Sequence, residues 1–173
     1  EYQDSIFVGF SADSRYVFSS ADFKEKSNFD GIGLYNLKNG SLARTMLNSC
    51  PGDIKSFPDN KTILKGIDII SVETGRKLYT FDQKIEFDVP SPPETAISGN
   101  GLFIAIGHND LGSVKLYDSR SYNLIRTFKI DLKTHRQDDT YQFFYPVQYV
   151  TLSKDGSLLA AVAIDDTISV WNT

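Results

Sequence analysis

Two histidines are the whole imidazole stock of this chain. His108 sits in Gly107-His108-Asn109-Asp110, and His135 stands beside Arg136 and Asp138-Asp139. Imidazole can ligate zinc or shuttle a proton, but neither histidine has Cys or His companions at zinc-ligand spacing. Asp165-Asp166 has the composition of an acid/base pair. It also lies in a turn phrase, where one Asp ties the loop to backbone amides. The sequence contains no Gly-rich phosphate loop and no Ser nucleophile motif. The expectation is therefore a non-enzyme with no catalytic residue, no metal, no cofactor and no small-molecule substrate.

The residues better suited to recognition are aromatic. Segment 131–146 packs Tyr141, Phe143, Phe144 and Tyr145 into its second half. Exposed aromatic clusters mark interfaces; the alternative is that Phe143 and Tyr145 tuck under the loop as a satellite core. Segment 21–31 interleaves Phe23 and Phe29 with Lys24 and Lys26. Aromatic and basic residues in alternation suit nucleic acid, but Asp22, Glu25 and Asp30 dilute that footprint. Phe23, Phe29, Tyr141, Phe143, Phe144 and Tyr145 are the candidate protein-binding residues.

The elements that must carry these side chains repeat. The phrases Phe10-Ser-Ala-Asp-Ser-Arg-Tyr16, Phe57-Pro-Asp-Asn-Lys-Thr-Ile63, Ile97-Ser-Gly-Asn-Gly-Leu-Phe103 and Leu152-Ser-Lys-Asp-Gly-Ser-Leu158 each separate two apolar runs. A third run follows: Ile32 to Asn36, Ile67 to Ser71, Val114 to Asp118 and Ile168 to Asn172. Its alternation of apolar and polar residues is the period-2 signature of a strand. A fourth follows in three units, Leu42 to Met46, Lys77 to Phe81 and Leu124 to Phe128, after turns such as Lys38-Asn39-Gly40 and Glu73-Thr74-Gly75. Glycine there supplies the positive φ of tight hairpins. Repeats at roughly 40 residues point to arrays of small sheets, above all β-propellers.

The fold class expected is all-β: a β-propeller of four-stranded antiparallel blades, partial or fragmentary. Residues 1–173 form one such region, with units 6–47, 53–81, 94–130 and 147–173. The last unit stops at its third strand, and a propeller typically has 4–8 blades, so further blades or a partner chain are expected to complete it. In a meander, turns after first and third strands share one end, and connections after second and fourth strands share the other. All the long segments, 21–31, 82–93 and 131–146, belong to the second set. Long loops clustered on a rigid scaffold are where binding resides.

The stretch from Val150 to Asn172 resembles a WD repeat. Ser153-Lys-Asp-Gly156 is similar to the first turn of that family, and Asp166-Thr-Ile-Ser-Val-Trp-Asn172 to its third strand, with Asn172 where Asp is usual. Tyr35-Asn36 and Tyr117-Asp118 look like substituted Trp-Asp pairs, and Ile70-Ser71 is further off. The Gly-His pair that precedes the family's first strand is missing; Gly107-His108 ends a second strand instead. The resemblance implies a non-catalytic scaffold that binds other protein subunits within a complex. Some WD-like propellers bind phosphoinositides through paired arginines, and no adjacent Arg pair occurs here.

Composition narrows the partners. Net charge is −4 and the pI about 5.1, so neither nucleic acid nor an anionic membrane surface is an expected partner. No apolar run approaches the roughly 20 residues of a membrane span. A lone Cys50 allows no intrachain disulfide, and an intracellular location, cytoplasmic or nuclear, follows as the expectation. The sequons Asn39-Gly-Ser41 and Asn60-Lys-Thr62 fall in turns rich in those residues. Two rival functions remain: a propeller enzyme with an axial-channel site, for which the first strands offer few polar groups, and a nucleic-acid-associated subunit.

Overall fold

The computed structural model describes residues 8–19, 31–47, 52–81, 93–108, 112–132 and 146–173. Every regular element among them is a strand, and no helix occurs among them. The first sheet is β1 (Val8–Phe10), β2 (Tyr16–Ser19), β3 (Gly31–Asn36) and β4 (Leu42–Leu47). The second is β5 (Ile54–Ser56), β6 (Thr62–Lys65), β7 (Asp68–Ser71) and β8 (Lys77–Thr80). The third is β9 (Thr95–Ile97), β10 (Phe103–Gly107), β11 (Ser113–Asp118) and β12 (Leu124–Lys129). The fourth has three strands, β13 (Val147–Leu152), β14 (Leu158–Ala163) and β15 (Ile168–Asn172). Each is an antiparallel meander in chain order, so the chain has the all-β, blade-like architecture its repeats predict.

Two compact units contain these sheets: Glu1–Thr80 holds the first two, Phe81–Thr173 the last two. Within each unit, one sheet lays a face on the next. Phe18, Ile32, Leu34 and Met46 of the first sheet are buried against Ile54, Ile63 and Ile70 of the second. Ala96, Ala105, Val114, Leu116 and Phe128 of the third are buried against Val147, Val150, Leu159, Ala161 and Ala163 of the fourth. Burial of this apolar surface is what holds small sheets together, since none can cover its own faces. The first strands approach closely, β1 beside β5 and β9 beside β13. Gly9 permits this in the first unit, because a Cβ there would run into the Ile54 backbone carbonyl.

Tyr35, Ile70, Tyr117 and Trp171 hold equivalent register positions. They pair with Val17, Ile63, Ile104 and Leu159 respectively. In each of the first three sheets a bulge falls just before that residue: Leu34/Tyr35, Ile69/Ile70 and Leu116/Tyr117. Their burial is not uniform, although they share one strand pattern. Ile70 and Tyr117 are buried, whereas Tyr35 and Trp171 are half-buried. Trp171 covers Phe128, with ring centroids 5.2 Å apart, but β15 is the last strand of its sheet.

β7 starts at Asp68, one residue later than its apolar pattern suggests. Gly66 takes φ +54° and, with Ile67, makes the two-residue turn between β6 and β7. Lys65 and Asp68 face each other across that turn and are both buried. Asp68 accepts from the Thr80 hydroxyl at 2.6 Å and lies 3.6 Å from the Lys77 ammonium, which compensates its desolvation.

Candidate functional site

The end of each sheet that carries the turns after first and third strands is built from one repeated device. In the first of these turns the Ser11 N–H donates to the Tyr16 carbonyl at 3.0 Å and the Ser14 N–H to the Ser11 carbonyl at 2.9 Å. The same pair of bonds recurs from Phe57 and Asn60, from Ser98 and Gly101, and from Ser153 and Gly156. Position four of each turn has positive φ: Ser14 (+56°), Asn60 (+56°), Gly101 (+72°) and Gly156 (+77°). An Asx side chain one residue earlier satisfies the amides that the turn leaves free. Asp13 Oδ1 accepts from the Arg15 N–H, Asp59 Oδ1 from Lys61, Asn100 Oδ1 from Leu102, and Asp155 Oδ1 from Ser157.

A serine closes three of the four. The Ser11, Ser98 and Ser153 hydroxyls donate to Asp13, Asn100 and Asp155 at 2.7, 2.7 and 2.6 Å. Phe57 takes that place in the second sheet, and its turn has no such bond. Hydrogen bonds to a charged carboxylate favour the charged form. The Ser11 hydroxyl, followed by the Arg15 amide, therefore lowers the pKa of Asp13. The Ser153 hydroxyl and the Ser157 amide lower that of Asp155 to about 2.

Turns after third strands use the same chemistry. Asn36 Oδ1 accepts from the Lys38 N–H at 2.8 Å, and Asp118 Oδ1 from the Ser121 N–H at 2.7 Å. The Ser121 amide and hydroxyl hold the Asp118 carboxyl below its usual value. Gly40, Gly75 and Tyr122 supply the positive φ. The two kinds of turn are then tied together within each sheet. Leu37, Val72, Ser119 and Thr173 donate their N–H groups to the carbonyls of Arg15, Lys61, Leu102 and Ser157. At this end the carboxylates of Asp13, Asp59, Asp118 and Asp155 are engaged in holding backbone.

The opposite end of each sheet carries the connections after second and fourth strands. These are not all long: Gly66-Ile67 links β6 to β7 directly. The long segments 20–30, 82–92 and 133–145 leave from β2, β8 and the chain after β12. The candidate residues Phe23, Phe29, Tyr141, Phe143, Phe144 and Tyr145, and also His135, lie outside the described residues.

The remaining chemistry-bearing side chains are dispersed. His108 follows β10, where its N–H donates to the Ser113 carbonyl at 2.8 Å and its Nε2 lies 3.0 Å from Lys115 Nζ. Asp165 Oδ1 accepts from the Thr167 N–H at 3.0 Å, and Asp166 takes φ +61°; the pair makes a turn between β14 and β15. Among the described residues no group of three or more His, Cys, Asp or Glu side chains could hold a metal ion. Among them, too, no helix is long and apolar enough to cross a membrane.

One feature was not legible in the candidate list: apolar side chains exposed on sheet faces. Tyr149, Ile168 and Val170 in the fourth sheet are 67%, 70% and 61% exposed, and Phe10 in the first is 64% exposed. Alternation marks such positions as apolar without telling which sheet face is covered. A search of protein-family models finds no match to this chain, and a search of curated proteins finds none either.

Proposed function

We propose that this protein is a non-catalytic, WD-repeat-like scaffold that binds other proteins through the end of its sheets bearing the long segments. The observation that carries this reading is the contrast between the two ends. At one, four turns of one design hold each Asx side chain on backbone amides. At the other, three of the connections are long in sequence, and two of these carry the aromatics Phe23, Phe29, Tyr141, Phe143, Phe144 and Tyr145, of the kind that contribute most of the affinity at interfaces. A rigid frame presenting variable segments is an economical way to build a binding surface.

Lysines sort by end and provide the test. Lys24, Lys26, Lys84 and Lys133 belong to the long segments, whereas Lys38, Lys61 and Lys154 belong to the turns. Cross-linking of the protein with its co-purified partners, read by mass spectrometry, is expected to place partner links on the first group. Links confined to Lys38, Lys61 and Lys154 would move the working surface to the opposite end.

A further inference from the structure

Asparagine followed by glycine is prone to a covalent change that needs no enzyme, because no side chain crowds the nitrogen next to the carboxamide. The pair occurs twice in this chain, at Asn39-Gly40 and at Asn100-Gly101. Both asparagines are exposed, and both glycines take positive φ, +67° and +72°. The glycine N–H groups are engaged alike: Gly40 donates to the Asn36 carbonyl and Gly101 to the Ser98 carbonyl, each at 2.8 Å.

The two sites differ at the carboxamide. Asn100 is held at both of its polar atoms. Its Oδ1 accepts from the Ser98 hydroxyl at 2.7 Å and from the Leu102 N–H at 3.0 Å, and its Nδ2 donates to the Asp155 carbonyl in the fourth sheet. Asn39 Oδ1 accepts from the Ser41 N–H at 3.0 Å and from the Ser41 hydroxyl at 2.8 Å. Its Nδ2 has no hydrogen-bond partner among the described residues. The exposure of Asn39 belongs to the turn design and not to the first sheet alone. Thr74 and Ser121 hold the same place, before Gly75 and Tyr122, whose N–H groups donate to the Ser71 and Asp118 carbonyls. Thr74 is exposed even though the first sheet packs on its own, and Ser121 is exposed too.

We propose that Asn39 is a site of spontaneous deamidation, and that Asn100 is shielded from the same reaction by its hydrogen bonds. The Gly40 nitrogen loses its proton to hydroxide and attacks Asn39 Cγ. The Cγ–Nδ2 bond breaks, Nδ2 takes a proton from water and leaves as ammonia, and a five-membered succinimide remains. Water then opens the ring. Addition at Cγ gives aspartate at position 39. Addition at the main-chain carbonyl carbon gives isoaspartate, whose backbone runs through the side chain and is longer by a methylene. Either product adds a negative charge, and isoaspartate also lengthens the turn that joins β3 to β4. To reach the glycine nitrogen, each carboxamide must leave its partners. Asn39 gives up two bonds within one exposed turn, whereas Asn100 gives up three, one of them to another sheet. Asn39 therefore converts about two- to tenfold faster in the folded chain, the factor that one hydrogen bond carries.

Incubation of the folded chain at neutral and at mildly alkaline pH, followed by digestion and mass spectrometry of the peptides, tests the inference. The peptide holding Asn39 is expected to convert from amide to acid before the one holding Asn100. It should do so faster at the higher pH, because the attacking nitrogen must be deprotonated. Isoaspartate at position 39 is read by enzymatic methylation of its carboxyl group. In denaturant the two peptides are expected to convert at like rates, since the bonds that distinguish them are gone. No conversion at Asn39 in the folded chain, or conversion of Asn100 at an equal or faster rate, would overturn the inference. A preference for Asn39 that persists undiminished in denaturant would overturn the shielding, because the fold would then not be its cause.

Discussion

The backbone N–H of Asp13 donates to the side-chain oxygen of Asn60 at 2.9 Å, joining the first turn of one sheet to the first turn of the next across 47 residues of chain. The second unit has its own version, in which Asn100 Nδ2 donates to the Asp155 carbonyl. Asn60 thus serves twice. It adopts the positive φ its turn requires, a conformation Asn tolerates better than most residues, and it ties two sheets together.

These two roles separate by substitution. Asn60→Gly keeps the backbone conformation and loses the cross-sheet bond, at an expected cost of about 0.5–1.5 kcal/mol. Asn60→Ala loses the same bond but keeps a Cβ in the left-handed region without the Asn side chain that tolerates it, and is expected to cost about 1–2 kcal/mol more than the glycine variant. Denaturant midpoints of the two variants measure the difference. Equal midpoints would show that the turn relaxes to another conformation.

Two glycines with similar φ offer a sharper comparison. Gly40 (φ +67°) has nothing within 4 Å of the position a Cβ would take, whereas a Cβ on Gly156 (φ +77°) would lie 2.6 Å from the Phe103 ring. Gly40→Ala is expected to cost about 1–2 kcal/mol from backbone strain alone. Gly156→Ala adds overpacking and is expected to cost a further 1–3 kcal/mol or so. Thermal melting of both variants checks the order, and a reversed order would contradict the placement of Phe103.

Ile70 and Trp171 occupy equivalent positions with unequal burial. Ile70→Ala opens a cavity in a closed core and is expected to cost about 2–5 kcal/mol. Trp171→Ala is expected to fall below the roughly 3–5 kcal/mol of a fully buried aromatic, because solvent already reaches that ring. Equilibrium unfolding of the two variants gives the ranking.

Strand positions were largely legible in sequence, and the reason is local. The runs Ile168 to Asn172, Thr95 to Ile97 and Val147 to Leu152 are rich in β-branched and apolar residues between turns, and each becomes a strand with those bounds. The turns were legible because Gly, Asn and Asp answer specific backbone demands. What alternation could not reveal is which apolar face acquires a neighbour. Val114 and Ile168 read alike, yet the first is covered and the second open. The buried Lys65 and Asp68 were equally hidden, because their burial depends on a two-residue turn and on Lys77 and Thr80 from the next strand. The aromatic candidates of the long segments lie outside the described residues.

Acid should loosen the turn that Asp155 holds. The Asp155 carboxyl is held at about 2, below its ordinary 3.8, by hydrogen bonds that favour its charged form. A depressed carboxyl contributes its stabilisation in full above the ordinary value. That contribution is lost as pH falls through the folded value, so the sensitive window runs from about pH 4 to about pH 2. Asp155→Asn keeps the accepting oxygen, as Asn100 does in the third sheet, and removes the charge. Its melting temperature is expected to depend less on pH across that window than that of the wild type. An unchanged pH profile would show that the hydrogen bonds around Asp155 do not depend on its charge.

The proposal that partners bind at the long-segment end is tested most directly by the double substitution Phe144→Ala, Tyr145→Ala. Association with co-purified partners and thermal melting are measured on the same preparation. On that proposal association is lost while the melting temperature stays that of the wild type. A lowered melting temperature with no separable binding defect would make them a satellite core beneath their own segment and contradict the proposal, as would full association by a variant that folds normally.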